Sequence, residues 1–394
     1  MVDQKGVVLQ LIKGLDIGGV NGGAERFSME LSFRLKKLGY KIFVCAFFKM
    51  DTFLEQLWMD KLLEKRIELF YATNWQGNDD FSSYTMGIEA VSKFLEKQQI
   101  HFIHSHFQLG TIAAIYLKYK FHIPIILRTA HNVNEWDHNF YGWIRKQIFS
   151  KYIYPIFLDA EVGVSKAIVD QLSKHPGTKL CPKKQHLIYN GIELQNYQPE
   201  DRIFSNHNKI YKIGSVGRLS EQKGFINIIQ AIPLIIEEFP NIQFTILGDG
   251  PQKDLLLEEA HNLGVSEYLD LKGQVSDVYA YLKQFYVFVS SSLWEGLPTA
   301  ILEAAAARVP IIATNIPGNR EIIEDNINGW LVLPSDPTAL ALKIIKLLKL
   351  PELRMRFSNT AARKINLFSM EEVTIKYDHL FFKLLRSKEN EKKK

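Results

Sequence analysis

Two carboxylates, Glu295 and Glu303, bracket the stretch Gly296-Leu297-Pro298-Thr299-Ala300-Ile301-Leu302, and two cations, Arg218 and Lys223, stand in Gly217-Arg218-Leu219-Ser220-Glu221-Gln222-Lys223-Gly224. A guanidinium is a planar fork and an ammonium a mobile point charge, so this pair can clamp two phosphate groups. Pro298 suits the first position of a helix, and the alanines that follow sustain one. The backbone N–H groups of Gly296 and Leu297 would then lie at the positive end of a helix dipole, a second place for a phosphate oxygen. Carboxylates beside an anion site make sense when they accept hydrogen bonds from ligand hydroxyls, which ribose and hexose supply. A nucleotide diphosphate sugar combines both needs. Breaking its glycosidic bond puts charge on the departing phosphate, where fixed donors stabilise the transition state. Taken singly, each feature has a plainer reading, as a solvated helix face or a charged turn.

These residues need a scaffold that brings loops to one edge, and the chain supplies strands alternating with helices. Val7–Ile12 reads as a first strand, the glycine loop of residues 16–26 follows it, and Phe27, Leu31, Leu35 and Leu38 then recur at helical spacing. Strands at 41–47, 67–71, 101–104, 124–129, 160–164 and 186–189 complete a first unit. A second begins at 209–216 and continues through 242–247, 268–271, 285–289, 310–313 and 330–333. Such alternation predicts parallel sheets covered on both faces, with ligands beyond the carboxyl ends of the strands. His104 with His106, and His131 with Asn132, fall at two such ends. A histidine there is more often structural, and His104 and His106 are read that way. The glycine loop lacks the spacing of a dinucleotide fingerprint, which counts against a dehydrogenase.

The setting of the two glutamates, Glu295-Gly296-Leu297-Pro298 with Glu303, resembles the signature of the retaining nucleotide-sugar glycosyltransferases of family 4. Gly22-Gly23-Ala24-Glu25-Arg26, Arg128-Thr129-Ala130-His131, Gly217-Arg218-Leu219 and Lys223-Gly224 are similar to further segments of that family. So is Asn315-Ile316-Pro317-Gly318-Asn319, although a second glycine is common where Asn319 stands. The resemblance covers essentially the whole chain. It implies the GT-B fold, two doubly wound Rossmann-like domains facing a central cleft, with a C-terminal helix crossing back to the first domain. The expected organisation is an acceptor-binding domain over 1–195, a linker over 196–208, a nucleotide-sugar domain over 209–367, a crossover helix over 368–386 and a basic tail over 387–394.

The same resemblance implies roles. Glu303 would hold the ribose and Glu295 the donor hexose. Gly273 and Val275 would border the base, Gly22 and Gly23 the donor phosphate and the acceptor entry, and His131 the transferring sugar. Catalytic weight falls on His131 and Glu295, and phosphate binding on Gly22, Gly23, Arg218, Lys223, Gly296 and Leu297. Retention implies same-face attack with the departing phosphate taking the acceptor proton; Glu135 or Asp137 could instead act as a base. The chain contains no Asp-x-Asp motif, so no essential metal and no cofactor is expected. Two alternatives remain: a GT-B epimerase or phosphorylase, and a non-catalytic sugar-nucleotide or membrane-binding module.

Composition sets the outer bounds. With 394 residues, 46% hydrophobic and 23% charged, the chain has the make-up of a globular protein of two domains. No apolar run approaches the ~18 residues of a spanning helix, and the first residues read as neither signal peptide nor membrane span. Cys45 and Cys181 are too few for a disulfide framework or a metal knuckle, which suits a reducing cytoplasm. Residues 1–195 carry 24 Lys+Arg against 19 Asp+Glu, the whole of the net charge of +5. That bias is read either as suiting an anionic acceptor or membrane surface or as a tolerated surface imbalance, with no nucleic-acid partner expected. The basic, aromatic segment 140–154 is read as a surface helix burying its apolar face, with contact to an anionic bilayer as the alternative. The donor is expected to be UDP-linked, and the acceptor a saccharide or lipid-linked saccharide in surface-polysaccharide assembly.

Overall fold

The structure, a computed structural model, describes residues 5–16, 22–75, 81–133, 140–181, 184–197 and 210–392. Two compact units divide it, Met1–Asn190 together with Met370–Lys394, and Gly191–Ser369.

In the first unit seven strands form one parallel sheet: β1 (Gly6–Ile12), β2 (Tyr40–Lys49), β3 (Glu68–Asn74), β4 (Phe102–Ser105), β5 (Ile125–Ala130), β6 (Ala160–Gly163) and β7 (Gln185–Leu187), in the order β3-β2-β1-β4-β5-β6-β7. Near-continuous apolar strands of this kind are stable only with both faces covered. Alternate residues of β1 accordingly enter two different cores, Val8 and Ile12 one, Val7, Leu9 and Leu11 the other. Gln10 is the exception, a polar residue fully buried on the Val8 face.

That face is closed by the helix Gly23–Lys37, through Phe27, Leu31 and Leu35, and by the chain's last helix, through Met370, Val373, Tyr377 and Phe381. The last helix runs from Met370 to Lys392, so residues 387–392 of the expected basic tail are helical. Lys388 explains the extension: its ammonium lies 3.3 Å from Asp159 and 3.0 Å from Glu391 one turn on, which satisfies charge along the added turns.

The second unit holds a six-stranded parallel sheet: β8 (Tyr211–Val216), β9 (Ile242–Leu247), β10 (Leu269–Gly273), β11 (Val287–Ser290), β12 (Ile311–Thr314) and β13 (Trp330–Val332), ordered β10-β9-β8-β11-β12-β13. Its core joins Ile213, Phe244, Ile246, Val287, Val289 and Ile312 to the isoleucines of the helix Ile226–Ile236 and the leucines of Pro337–Lys349.

In each sheet the strand order reverses once, between β1 and β4 and between β8 and β11. Loops leaving adjacent strands at such a point part to opposite faces and open a crevice for a ligand. The segment 140–154 is a helix Phe140–Arg145 that widens to π-helix over Lys146–Ile153 before Tyr154–Phe157. It buries Tyr154 and leaves Trp143, Ile148 and Tyr152 exposed. No helix among the described residues is long and apolar enough to cross a membrane.

Candidate active site

At the β8/β11 switch point the loops after the two strands are fastened to each other. Ser291 Oγ donates to the Lys223 carbonyl at 2.8 Å, and the Leu293 N–H donates to the Gln222 carbonyl at 2.8 Å. Gln222 Nε2 donates to the Trp294 carbonyl at 3.0 Å. Gly224 permits the approach, with φ +58° and the Ser291 carbonyl 2.4 Å from where a Cβ would stand. Gly217 leaves room for the aliphatic stem of Lys223, which a side chain there would crowd.

The outcome is a single polar cluster. Lys223 Nζ lies 2.5 Å from Glu295 Oε1, Ser292 Oγ donates to the same oxygen at 2.8 Å, and Gln222 Nε2 reaches Oε2 at 3.3 Å. Glu295 is thus a carboxylate saturated by donors and almost fully buried, facing an ammonium that retains some exposure. Beneath it, Thr314 Oγ1 donates to the Ser292 carbonyl at 2.5 Å, and Asn319 Nδ2 donates to both oxygens of Thr314. Asn319, where the family resemblance leads one to expect glycine, is therefore a buried brace for this loop. Gly318 is equally constrained, with the carbonyls of Glu295 and Gly296 2.8 and 2.9 Å from a Cβ position.

Lys223, Glu295, Gly296 and Leu297 are brought together. Arg218 is exposed on the loop that carries Lys223, and Glu303 is buried one turn into the helix Thr299–Ala306. Pro298 is the N-cap of that helix and not its first residue, because its ψ of 108° is extended. Gly273 ends β10, two strands from β8, with φ +69°; its carbonyl accepts the Gly248 N–H at 2.7 Å, and Val275 follows half-buried. Gln222, Ser292, Thr314 and Asn319 escape sequence reasoning, since side-chain amides and hydroxyls bridging two loops leave no spacing signal.

The first unit has a polar cluster at its own switch point. His106 Nδ1 and His131 Nε2 are 3.0 Å apart, and His106 Nε2 is 2.9 Å from Gln10 Oε1. His104 Nε2 meets Thr129 Oγ1 at 2.8 Å, and Thr129 Oγ1 meets the Tyr377 hydroxyl at 2.8 Å. Burial holds His104 and His131 down at about 3 and His106 well below its ordinary value. All three rings are neutral at pH 7. His106, assigned from sequence to a structural place, is thus in direct contact with His131.

Gly22 and Gly23 open the helix Gly23–Lys37 as exposed residues, and the Gly22 N–H already donates to the Glu25 carboxylate at 3.0 Å. Burial raises the affinity of that carboxylate for a proton. Glu135, Asp137, residues 17–21 of the glycine loop and residues 198–208 of the expected linker lie outside the described residues.

Two parallel-sheet units with polar clusters at their switch points define a protein of two Rossmann-like domains. Residues 21–196 match the family described as Glycosyltransferase Family 4, and residues 198–364 that described as Glycosyl transferases group 1. The chain belongs to the GT-B glycosyltransferases that carry these two domains. It is similar to the UDP-Gal:alpha-D-GlcNAc-diphosphoundecaprenol alpha-1,3-galactosyltransferase of Escherichia coli, 24% identical over 83% of this chain and 86% of that protein. A phosphatidylinositol N-acetylglucosaminyltransferase component of Arabidopsis thaliana is 24% identical over 93% of this chain and 79% of its own length. Among solved structures, sucrose-phosphate synthase of Thermosynechococcus elongatus shares the fold with a TM-score of 0.79 at 16% identity, covering 97% of this chain and all of that one. HepE of Anabaena, in complex with UDP and glucose, does so with a TM-score of 0.78 at 16% identity, over 95% and 99%.

Proposed function

We propose that this glycosyltransferase moves a hexose or N-acetylhexosamine from a UDP-sugar, with retention at the anomeric carbon, to a saccharide or lipid-linked acceptor in surface-polysaccharide or glycolipid assembly. The observation that carries the reading is the Lys223–Glu295 pair, held by Gln222 and Ser292 at the β8/β11 switch point. An ammonium already balanced by a carboxylate can turn to a phosphate while the carboxylate turns to a sugar hydroxyl. Neither group then loses its partner on binding.

In this reading Lys223 and Arg218 stabilise the departing diphosphate, with the N–H groups of Gly296 and Leu297 as further donors. Glu295 reads the hexose and Glu303 the ribose. Gly273 and Val275 border the base, Gly22 and Gly23 a phosphate, and His131 the sugar or acceptor. The choice of UDP and of a lipid-linked acceptor is supported by the E. coli relative, whose name gives both. Nucleotide release measured against a panel of sugar donors, with and without saccharide and polyprenyl-diphosphate acceptors, tests the proposal. Release that requires inorganic phosphate, or that proceeds at full rate with no acceptor, would point to a phosphorylase or epimerase instead.

Because side-chain cations do the work of a metal here, transfer is expected to persist in excess chelator; loss of turnover restored by a divalent ion would overturn that part. Glu303→Gln, which keeps the volume of this buried side chain, is expected to weaken UDP binding by roughly ten- to hundredfold, the worth of a charged hydrogen bond to a hydroxyl. Calorimetry with UDP checks it, and unchanged affinity counts against the ribose role.

A lipid-linked acceptor would be met at the cytoplasmic face of a bilayer. Exposed Trp143, Ile148 and Tyr152, interleaved with Arg145, Lys146 and Lys151, suit an anionic interface. Co-sedimentation with anionic but not zwitterionic vesicles, lost on Trp143→Ser with Ile148→Ser, is the expected result.

A further inference from the structure

Gln222 stands in the middle of a single 3-10 turn, Glu221–Lys223, on the loop that leaves β8. Its backbone carbonyl accepts the Leu293 N–H and the next carbonyl, that of Lys223, accepts the Ser291 hydroxyl, both at 2.8 Å, so the loops are strapped together without its side chain. That side chain is half-buried, and the direction of its amide is fixed. Nε2 lies 3.0 Å from the Trp294 carbonyl and 3.3 Å from Glu295 Oε2, and a carbonyl and an ionised carboxylate can only accept. Turning the amide over would press its oxygen against both of them. Both N–H groups are thus engaged, and Oε1 points away from the two partners. Among the described residues it has no donor, and it is not one of the atoms sealed from solvent.

We propose that Gln222 is a specificity-determining residue for the donor, its Oε1 accepting the hydrogen of one sugar hydroxyl beside the hydroxyl that Glu295 reads. The inference rests on the reading of this site as one for a nucleotide diphosphate sugar with Glu295 on the hexose. Chemistry selects an alcohol. An amide oxygen repels a diphosphate, whose oxygens carry no hydrogen to offer at pH 7, so only a donor can meet it. Position selects the hexose. Glu295 Oε1 takes Lys223 and Ser292, whereas Oε2 takes only the longer bond from Gln222. The phosphate cation and the amide therefore stand at different oxygens of one carboxylate, and a ligand that runs from Lys223 past Glu295 brings its sugar to Gln222. A donor lacking the matching hydroxyl would strip water from Oε1 and give nothing back, which is how a polar site rejects a near-isostere.

Sugar donors lacking one hydroxyl at a time, compared in the wild-type chain and in Gln222→Met, test the proposal. Methionine keeps the length of the side chain and removes the amide, while the backbone strap at residue 222 stays, so the melting temperature should hold within a few degrees. The wild type is expected to lose about ten- to thirtyfold in kcat/KM on deoxygenation at each of two ring positions, one read by Glu295 and one by Gln222. In Gln222→Met the full donor loses a similar factor. Deoxygenation at one of the two positions then costs no more than about twofold, and the loss at the other is unchanged. Such coupling marks direct contact, because a residue that only shaped the loop would weaken every donor alike. Gln222→Ala, which empties the place, should show the same pattern. Losses equal in wild type and variants at every ring position would overturn the proposal, as would coupling to a ribose hydroxyl, measured with a 2′-deoxynucleotide sugar. A wild type that turns over no nucleotide sugar refutes the reading of the site and this inference together, whereas uncoupled losses in an active enzyme refute this inference alone.

Discussion

Lys223→Ala is expected to lower kcat/KM for the nucleotide sugar by about 10²–10³-fold, the usual loss when one fixed donor to a leaving oxyanion is removed. The effect on folding is smaller because of the partners of Glu295. In the wild-type chain that carboxylate has Lys223, Ser292 and Gln222. Removing the ammonium leaves the hydroxyl and the amide, so the loop keeps its shape and the melting temperature should fall by only a few degrees. The phosphate loses its cation, and Glu295, no longer balanced, repels the incoming diphosphate. Lys223→Arg should not rescue, because the stem lies against Gly217 and a planar fork cannot follow the same path. A kcat/KM within tenfold of wild type for Lys223→Ala would remove the ammonium from the chemistry.

Gly248→Ala is expected to cost the second unit about 3 kcal/mol or more, since left-handed strain alone runs to roughly 1–3 kcal/mol and a backbone clash adds to it. Gly248 has φ +134°, and the Gly217 carbonyl oxygen would lie 2.0 Å from an added Cβ. Neither atom can yield cheaply, because the Gly217 N–H is bonded to Leu247 and the Gly248 N–H to the Gly273 carbonyl. A drop in melting temperature of roughly 6–12 °C follows from that cost for a unit of this size. Gly264→Ala is the control. Its φ is +67° with nothing within 4 Å, so it carries strain without collision and should cost about 1 kcal/mol. Equal melting temperatures for the two variants would mean that Gly217 moves freely. The Arg218 loop would then be soft, contrary to the fastening of the β8 and β11 loops.

The architecture was legible because its signals are local. Apolar strands bounded by glycine or serine, and leucines at helical spacing, place thirteen strands to within a few residues, whereas the strand order and its two switch points come only from the folded chain. The second site was half legible. Lys223 and Glu295 announce themselves by type and setting, but Gln222 and Asn319 act through bonds to another loop, and only the folded chain brings those loops together. Pro298 stands one residue before the position its N1 preference predicts, its extended ψ of 108° making it the N-cap. The histidine cluster was not legible as a unit. Gln10 reads as one polar residue in a strand, and His104 and His106 as ordinary core histidines, until the β1/β4/β5 register sets them on a common face.

The helix Met370–Lys392 fills the core of the first unit although the second unit lies between them in the chain. On a ribosome adding roughly 5–20 residues per second, Phe27, Leu31 and Leu35 must therefore wait about 17 to 70 seconds with their apolar face uncovered. The second unit, continuous in sequence, can close while the first is still open. Nascent chains stalled short of residue 370 should accordingly present a sticky amino-terminal half to chaperones, and the order of maturation in the cell runs opposite to the order of synthesis.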